Sequence, residues 1–318
     1  MSDKTGIEWT EATWNPVTGC SKVSQGCKHC YAERDWPRLS APRPKSNIYT
    51  GRNFTDVRCH PERLDQPLLW TRPRRIFVNS MSDLFHSDVP DSFIRQVFGV
   101  MATEAHHTFQ VLTKRAARMR DLLTRWRNDG TFQYHEGLAP ANVWLGVSVE
   151  DQATADERIP LLLQTPATVR WVSAEPLLGP VDLTKWLHPE GRCTDCRELI
   201  VSQRSMVSCE CGSEPTLYRI ELIDWLVAGG ESGSKSRPMH PAWARGLRDQ
   251  CAAAGVAFLF KQWGEWHPRI WQEGGDVAIG PDGGYRTTMV GDCEMVRCGK
   301  KAAGRHLDGV LHDEYPAA

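Results

Sequence analysis

Short runs of β-branched and aromatic residues recur along the chain, at residues 76–80 (IFVNS), 109–112 (FQVL), 143–149 (VWLGVSV), 169–174 (VRWVSA), 224–229 (DWLVAG) and 257–260 (AFLF). Their near-continuous apolar character fits strands buried on both faces of a parallel sheet. Between the first two runs, residues 91–104 place Phe93, Val97, Phe98, Val100 and Met101 on one helical face, with Asp91 as the expected cap. Helices also fit residues 114–127 and 243–254, the latter stopped by Gly255. Strand, helix, strand in repetition predicts right-handed βαβ crossovers.

A doubly wound open sheet and a (β/α) barrel both satisfy this pattern, and the residues that follow the strands choose between them. Ser80, Ser82 and Asp83 follow the first run, Thr113 and Lys114 the second, and Ser148 and Glu150 the third. Ser173 and Glu175, Glu231 and Ser232, and Lys261 and Gln262 follow the others. In a barrel these positions converge on one mouth, where such folds place their chemistry. The expected fold is therefore α/β, a partial (β/α) barrel of about six parallel strands. Residues 1–186 would hold an N-terminal loop and the first part of the barrel, and 217–270 its remainder. A cysteine-rich, zinc-ribbon-like insertion at 187–216 interrupts it, and 271–318 read as a loosely structured C-terminal extension with a basic stretch, GKKAAGR, at 299–305.

Composition narrows the class. With 318 residues, 41% of them hydrophobic, the chain is long enough to bury the core of an enzyme-sized globular protein. A formal charge of -1 removes any global attraction to polyanions, so a nucleic-acid partner would need a local basic surface. No stretch resembles a signal peptide or reaches the ~20 apolar residues of a membrane span. The cytoplasm is the expected compartment, with no membrane partner. There, seven of the eleven cysteines fall in two tight clusters, which favours metal ligation over disulfides, while Cys59, Cys251, Cys293 and Cys298 read as buried or idle thiols.

The first cluster lies in TWNPVTGCSKVSQGCKHCYAER, where Cys20, Cys27 and Cys30 share a loop bracketed by Gly19 and Gly26. Three such thiolates can hold three irons of a cubane and leave the fourth open to an outside ligand. The same residues also fit a zinc site completed by His29 or a distant ligand, or three structural cysteines. The second cluster, Cys193, Cys196, Cys209 and Cys211, supplies four thiolates on two short turns and fits a closed structural zinc site, with an auxiliary iron–sulfur cluster as the alternative.

The first cysteine motif, together with NSMSDLFH at 79–86, SAEPLLGP at 173–180, GGESG at 229–233 and KQWGEW at 261–266, resembles the phage-associated Gp37/Gp68-type family of radical-SAM-like iron–sulfur proteins. That resemblance spans most of the chain outside the insertion and tail. It departs from the superfamily's common CxxxCxxC motif in its six-residue first gap. It implies a [4Fe–4S] cluster on Cys20, Cys27 and Cys30 that binds S-adenosylmethionine, takes an electron from an electron donor and yields a 5′-deoxyadenosyl radical. The substrate it implies is unassigned, with a nucleotide or nucleic acid as the expectation. On this reading Ser82 and Asp83 would meet the cofactor's ammonium and Lys114 its carboxylate, while Glu175 and Glu231 would contact ribose or substrate. Each of these carboxylates serves equally well in a structural ion pair. GGESG lacks both Walker and GxGxxG spacing.

A rival class is a non-catalytic, zinc-stabilised nucleic-acid-binding protein that uses the basic segment Lys114, Arg115, Arg118, Arg120, Arg125 and Arg127. The bland reading of that segment is the solvated face of an outer helix. Tryptophans such as Trp9, Trp14, Trp171 and Trp225 can stack on bases or fill core.

Overall fold

The computed structural model describes residues 5–42, 47–132, 137–187, 190–192, 199–201, 222–269 and 286–316. Seven parallel strands form the central sheet: β1 (Ala12–Trp14), β2 (Arg75–Val78), β3 (Thr108–Thr113), β4 (Val143–Val149), β5 (Val169–Ala174), β6 (Trp225–Gly229) and β7 (Ala257–Gln262). Each strand pairs with the next in chain order. A doubly wound sheet reverses its strand order at a switch point; this one never does. It is a half-barrel of seven strands, one more than the sequence predicts. The extra strand is β1, whose three residues are too few to display a period.

The helices are α1 (Tyr31–Ser40), α2 (Asp91–Thr103), α3 (Ala116–Asn128), α4 (Gln152–Leu163), α5 (Thr184–Leu187), α6 (Pro241–Ala254) and α7 (Lys300–Ala303). α2, α3 and α6 lie where the apolar periodicity puts them. α1 and α4 carry internal prolines, Pro37 and Pro160, which hide them from a sequence reading. Asp91 does not cap α2. The N-cap position is Pro90, and Asp91 instead receives Arg118 and Arg125 of α3, each at 2.8 Å.

Strand periodicity sorts the residues into an outer and an inner face. Outward positions such as Ile76, Val78, Phe109, Val111, Leu145, Val147, Leu226 and Phe260 join the large core under the helices. Inward positions form a second cluster of Phe77, Trp144, Trp171, Trp225, Val227 and Leu259, to which Trp9 of the N-terminal segment is added. Here the tryptophans are floor, not base-stacking platforms. Trp9 meets Trp171 edge-on at 5.1 Å between centroids, and Trp171 meets Trp225 at 5.2 Å. Gly146 of β4 makes room for this layer, since a β-carbon there would lie 2.5 Å from the Trp171 ring.

Among the described C-terminal residues, 286–316, regular structure replaces the expected loose extension. Thr287–Val290 and Cys293–Arg297 form a hairpin that pairs with Trp266–Pro268. Beyond α7, Phe260 N donates to His312 O and Glu314 N to Phe258 O, fastening the chain to the edge of β7. Tyr315 then packs on Trp225, and Arg75 of β2 sits 4.1 Å over its ring, closing the floor from below.

Within the insertion, Glu190–Arg192 pairs antiparallel with Leu199–Val201. Cys193, Cys196, Cys209 and Cys211 lie outside the described residues.

Candidate metal centre

The three-cysteine loop is the connection between β1 and α1, so it belongs to the βα repeat instead of preceding it. Two turns shape it: Cys27 N donates to Ser24 O at 3.0 Å and Cys30 N to Cys27 O at 3.4 Å. Cys30 is the N-cap residue of α1.

Side chains from distant strands pin this loop over the sheet. Ser82 Oγ donates to Val17 O at 2.8 Å, and Ser24 Oγ donates to Glu150 Oε1 at 2.8 Å. Arg237 Nη2 donates to Gln25 O at 3.0 Å. Tyr31, the first residue of α1, donates its hydroxyl to Ser80 O.

Glu150, just beyond β4, is 0% exposed, and it receives Arg158 of α4 at 3.2 and 3.3 Å and Lys114 at 3.4 Å. A charge that deep needs partners to offset its lost hydration, and here the partners come from three elements. Gly26 packs directly on it. A β-carbon at Gly26 would lie 2.4 Å from Glu150 Oε1, which restricts this position of the loop to glycine.

Asp83 organises the other side. Its Oδ1 accepts from Phe85 N at 3.0 Å and Thr113 Oγ1 at 2.7 Å, and its Oδ2 from Lys114 N at 3.1 Å and Arg115 Nη1 at 2.9 Å. Arg115, which a sequence reading assigns to a solvated helix face, lies at the site instead. It reaches Cys20 Sγ at 3.6 Å and donates to Ser21 O and Ser21 Oγ at 3.1 and 3.0 Å. The sequence reading placed Glu150 at the mouth without a role and missed Arg115. The local signal for Arg115 was its position just past the end of β3.

Cys20, Cys27 and Cys30 line one cavity of about 350 Å³ together with Ser82, Asp83, Lys114, Glu175 and Glu231. The inward layer above the tryptophan floor supplies Ser148, Ser173 and Lys261 to the same lining, and Lys300 of α7 reaches it from the C-terminal segment. Both sequence-selected glutamates are paired. Glu175 accepts from Lys261 at 2.7 Å, and Glu231 takes Arg237 in a two-point contact at 2.6 and 2.9 Å.

Burial pushes the Cys20 thiol up to about 11, with the Asp83 carboxylate adding to the shift and Arg115 opposing it. Burial also raises Cys30. These thiols therefore stay protonated at neutral pH until a metal supplies the charge that displaces the proton.

The donor set fits a cubane: three thiols of one loop face a single cavity, so each cysteine could take its own iron and leave one iron for an outside ligand.

No curated protein matches the chain in sequence. Among solved structures, a cysteine-to-serine mutant of spore photoproduct lyase aligns with a TM-score of 0.36 and 11% identity, over 55% of this chain and 50% of that one. A tyrosine-to-phenylalanine mutant of the same lyase aligns with a TM-score of 0.34 and 10% identity, over 50% of this chain and 44% of that one. The chain thus spans about half the length of the structures it matches. One family model, described as a protein of unknown function (DUF5131), matches residues 4–316, and the chain belongs to that family.

Proposed function

We propose that the chain is a radical S-adenosylmethionine enzyme whose [4Fe–4S] cluster is held by Cys20, Cys27 and Cys30. The observation that carries this reading is the placement of three thiols, all on the first βα loop, in one cavity with charged residues from successive strand ends. When bound, the reduced cluster supplies the electron that cleaves S-adenosylmethionine to a 5′-deoxyadenosyl radical.

The chain's own residues position and shelter. Lys114 offers the cation for the cofactor's carboxylate, and Ser82, in the same cavity lining, a hydroxyl for the ammonium. Asp83 contributes indirectly, since its four hydrogen bonds hold Arg115 and the end of β3 in place. Glu175 and Glu231 present carboxylate oxygens for ribose or substrate hydroxyls, held in place by their partners Lys261 and Arg237. The tryptophan floor excludes water from below, as a reactive radical requires.

A nucleotide or nucleic acid is the proposed substrate, with Lys300 and Arg34 in the cavity lining as phosphate partners. Hydrogen abstraction from it is the proposed reaction class, and a small electron-transfer protein the proposed donor. A reducing cytoplasm suits these thiols, and among the described residues no helix is long and apolar enough to cross a membrane. Structural zinc on Cys193, Cys196, Cys209 and Cys211 completes the reading.

Anaerobic reconstitution should load about four irons on the first motif. Dithionite with S-adenosylmethionine should then release 5′-deoxyadenosine. Replacing Cys20, Cys27 and Cys30 together with alanine should abolish that release while leaving zinc on the second cluster. A wild type that takes up only zinc, or a triple variant that still forms 5′-deoxyadenosine, would refute the proposal.

A further inference from the structure

A second group of metal-ligating side chains lies at the opposite end of the sheet. α2 ends at Thr103, and the turn leading into β3 carries Glu104, His106 and His107. One donor atom from each lies within 4.8 Å of the other two. The six residues of β3 separate this turn from the cysteine cavity by about 20 Å.

The two rings are oriented as metal-binding imidazoles are. His106 Nε2 lies 3.1 Å from Trp70 O, and His107 Nε2 lies 3.3 Å from Pro67 O. A carbonyl only accepts, so both Nε2 atoms carry hydrogen, and in the neutral ring Nδ1 is left with its lone pair. His107 is 1% exposed, yet its Nδ1 has no hydrogen-bond partner. A buried acceptor left unpaired is costly and calls for an occupant. His106 Nδ1 faces Glu104 Oε2 at 3.6 Å, too far for a direct hydrogen bond and close enough for both to share a cation.

The turn is also held rigid before any ligand arrives. Asn142 Nδ2 donates to Met101 O at 2.9 Å, Glu104 O at 3.3 Å and His107 O at 3.0 Å. His107 N closes the turn on Glu104 O at 3.0 Å. The ring centroids of His106 and His107 lie 3.9 Å apart.

We propose that Glu104, His106 and His107 form a binding site for a zinc-class divalent cation, with the Glu104 carboxylate and the two Nδ1 atoms as ligands and water in the fourth position. Two imidazoles and one carboxylate suit zinc over magnesium or calcium, which prefer all-oxygen shells. Backbone carbonyls on the far ring nitrogens are the usual supports that orient ligating histidines. Because those carbonyls belong to the turn at Pro67–Leu69 and to Trp70, the ion fastens that turn to the start of β3. Its role is structural, and it is independent of the cysteine chemistry.

Equilibrium dialysis of the full chain against zinc, followed by metal analysis, tests the site through a difference. The cysteines contribute the same zinc to every sample. His106→Ala, at a half-exposed ring, and Glu104→Gln should each lose one zinc per chain, with affinity lowered at least about 100-fold. Cobalt loading identifies the donors, because the wild-type-minus-variant spectrum should show weak visible bands without thiolate charge transfer. Zinc should raise the melting temperature of the wild type more than that of Glu104→Gln. Equal zinc content in wild type and both folded variants overturns the proposal. So does a cobalt difference spectrum dominated by thiolate charge transfer, or an equal thermal shift in wild type and Glu104→Gln.

Discussion

The floor and the mouth of the half-barrel are built from the same inward face of the same strands, yet they are held together by different forces. Along β5, Trp171 belongs to the floor and Ser173 to the mouth, two residues on, with Glu175 following. The floor is a mainly aromatic layer whose rings meet edge-on or tilted, so its stability comes from apolar burial and packing. The mouth is a set of charges, and it holds its shape because its buried charges are paired, Asp83 with Arg115, Glu150 with Lys114 and Arg158, and Glu231 with Arg237. A floor tolerates one lost contact as a cavity. A mouth that loses one partner leaves the other charge exposed to a low dielectric.

Three measurements break or sharpen that contrast. The largest expected loss of stability comes from Trp171→Ala, which empties the centre of the floor and should cost about 3–5 kcal/mol in denaturant unfolding. Iron uptake per folded molecule should be unchanged; a variant that folds but no longer binds iron would mean that floor and mouth are not separable. Next comes Glu150→Gln, which strands buried Arg158 and should cost about 3 kcal/mol. Unlike the floor variant it should also lower iron retention, because Ser24 of the cysteine loop loses its charged acceptor. Retention equal to wild type would show that the loop does not depend on that anchor.

The smallest effect is a pH slope in the metal-free protein. Burial holds Cys251, on the buried face of α6, at about 12, and Cys20 at the mouth at about 11, both above the ordinary thiol value of 9.0. The unfolded chain releases these protons first, so stability is full below pH 9.0 and falls as the pH rises through the folded-state values. Denaturant midpoints should decline above that point, with a slope of at most about one proton per thiol. Cys251→Ala should remove the outer-core share of the slope and leave the share at the mouth. An unchanged slope in that variant would assign the whole effect to other groups.

Much of this was legible locally. Runs such as VWLGVSV and VRWVSA are strands because their apolar residues are continuous, and the polar residue after each run marks the mouth of the sheet. Among the strand-end residues that the sequence singles out, Ser82, Asp83, Lys114, Glu175 and Glu231 all line the cysteine cavity. The helices with unbroken apolar faces, α2, α3 and α6, were equally visible. Elements too short or interrupted by proline were not. β1 has three residues, and without it the cysteine loop looked like a preface to the fold when it is the fold's first βα connection.

The amino-acid sequence by itself determined the strand count to within one, the α/β class and the grouping of three thiols on a glycine-bearing loop, because periodicity and motif spacing act over a few residues. Only the tertiary structure decided the partners. Ser24 meets Glu150 across 126 positions, Lys261 meets Glu175 across 86, and Arg115 meets Asp83 across 32. His106 and His107 are likewise oriented by carbonyls 36 and 40 positions away. Such pairings depend on which strand ends become neighbours when the sheet curves, a property of the whole chain that no local window contains.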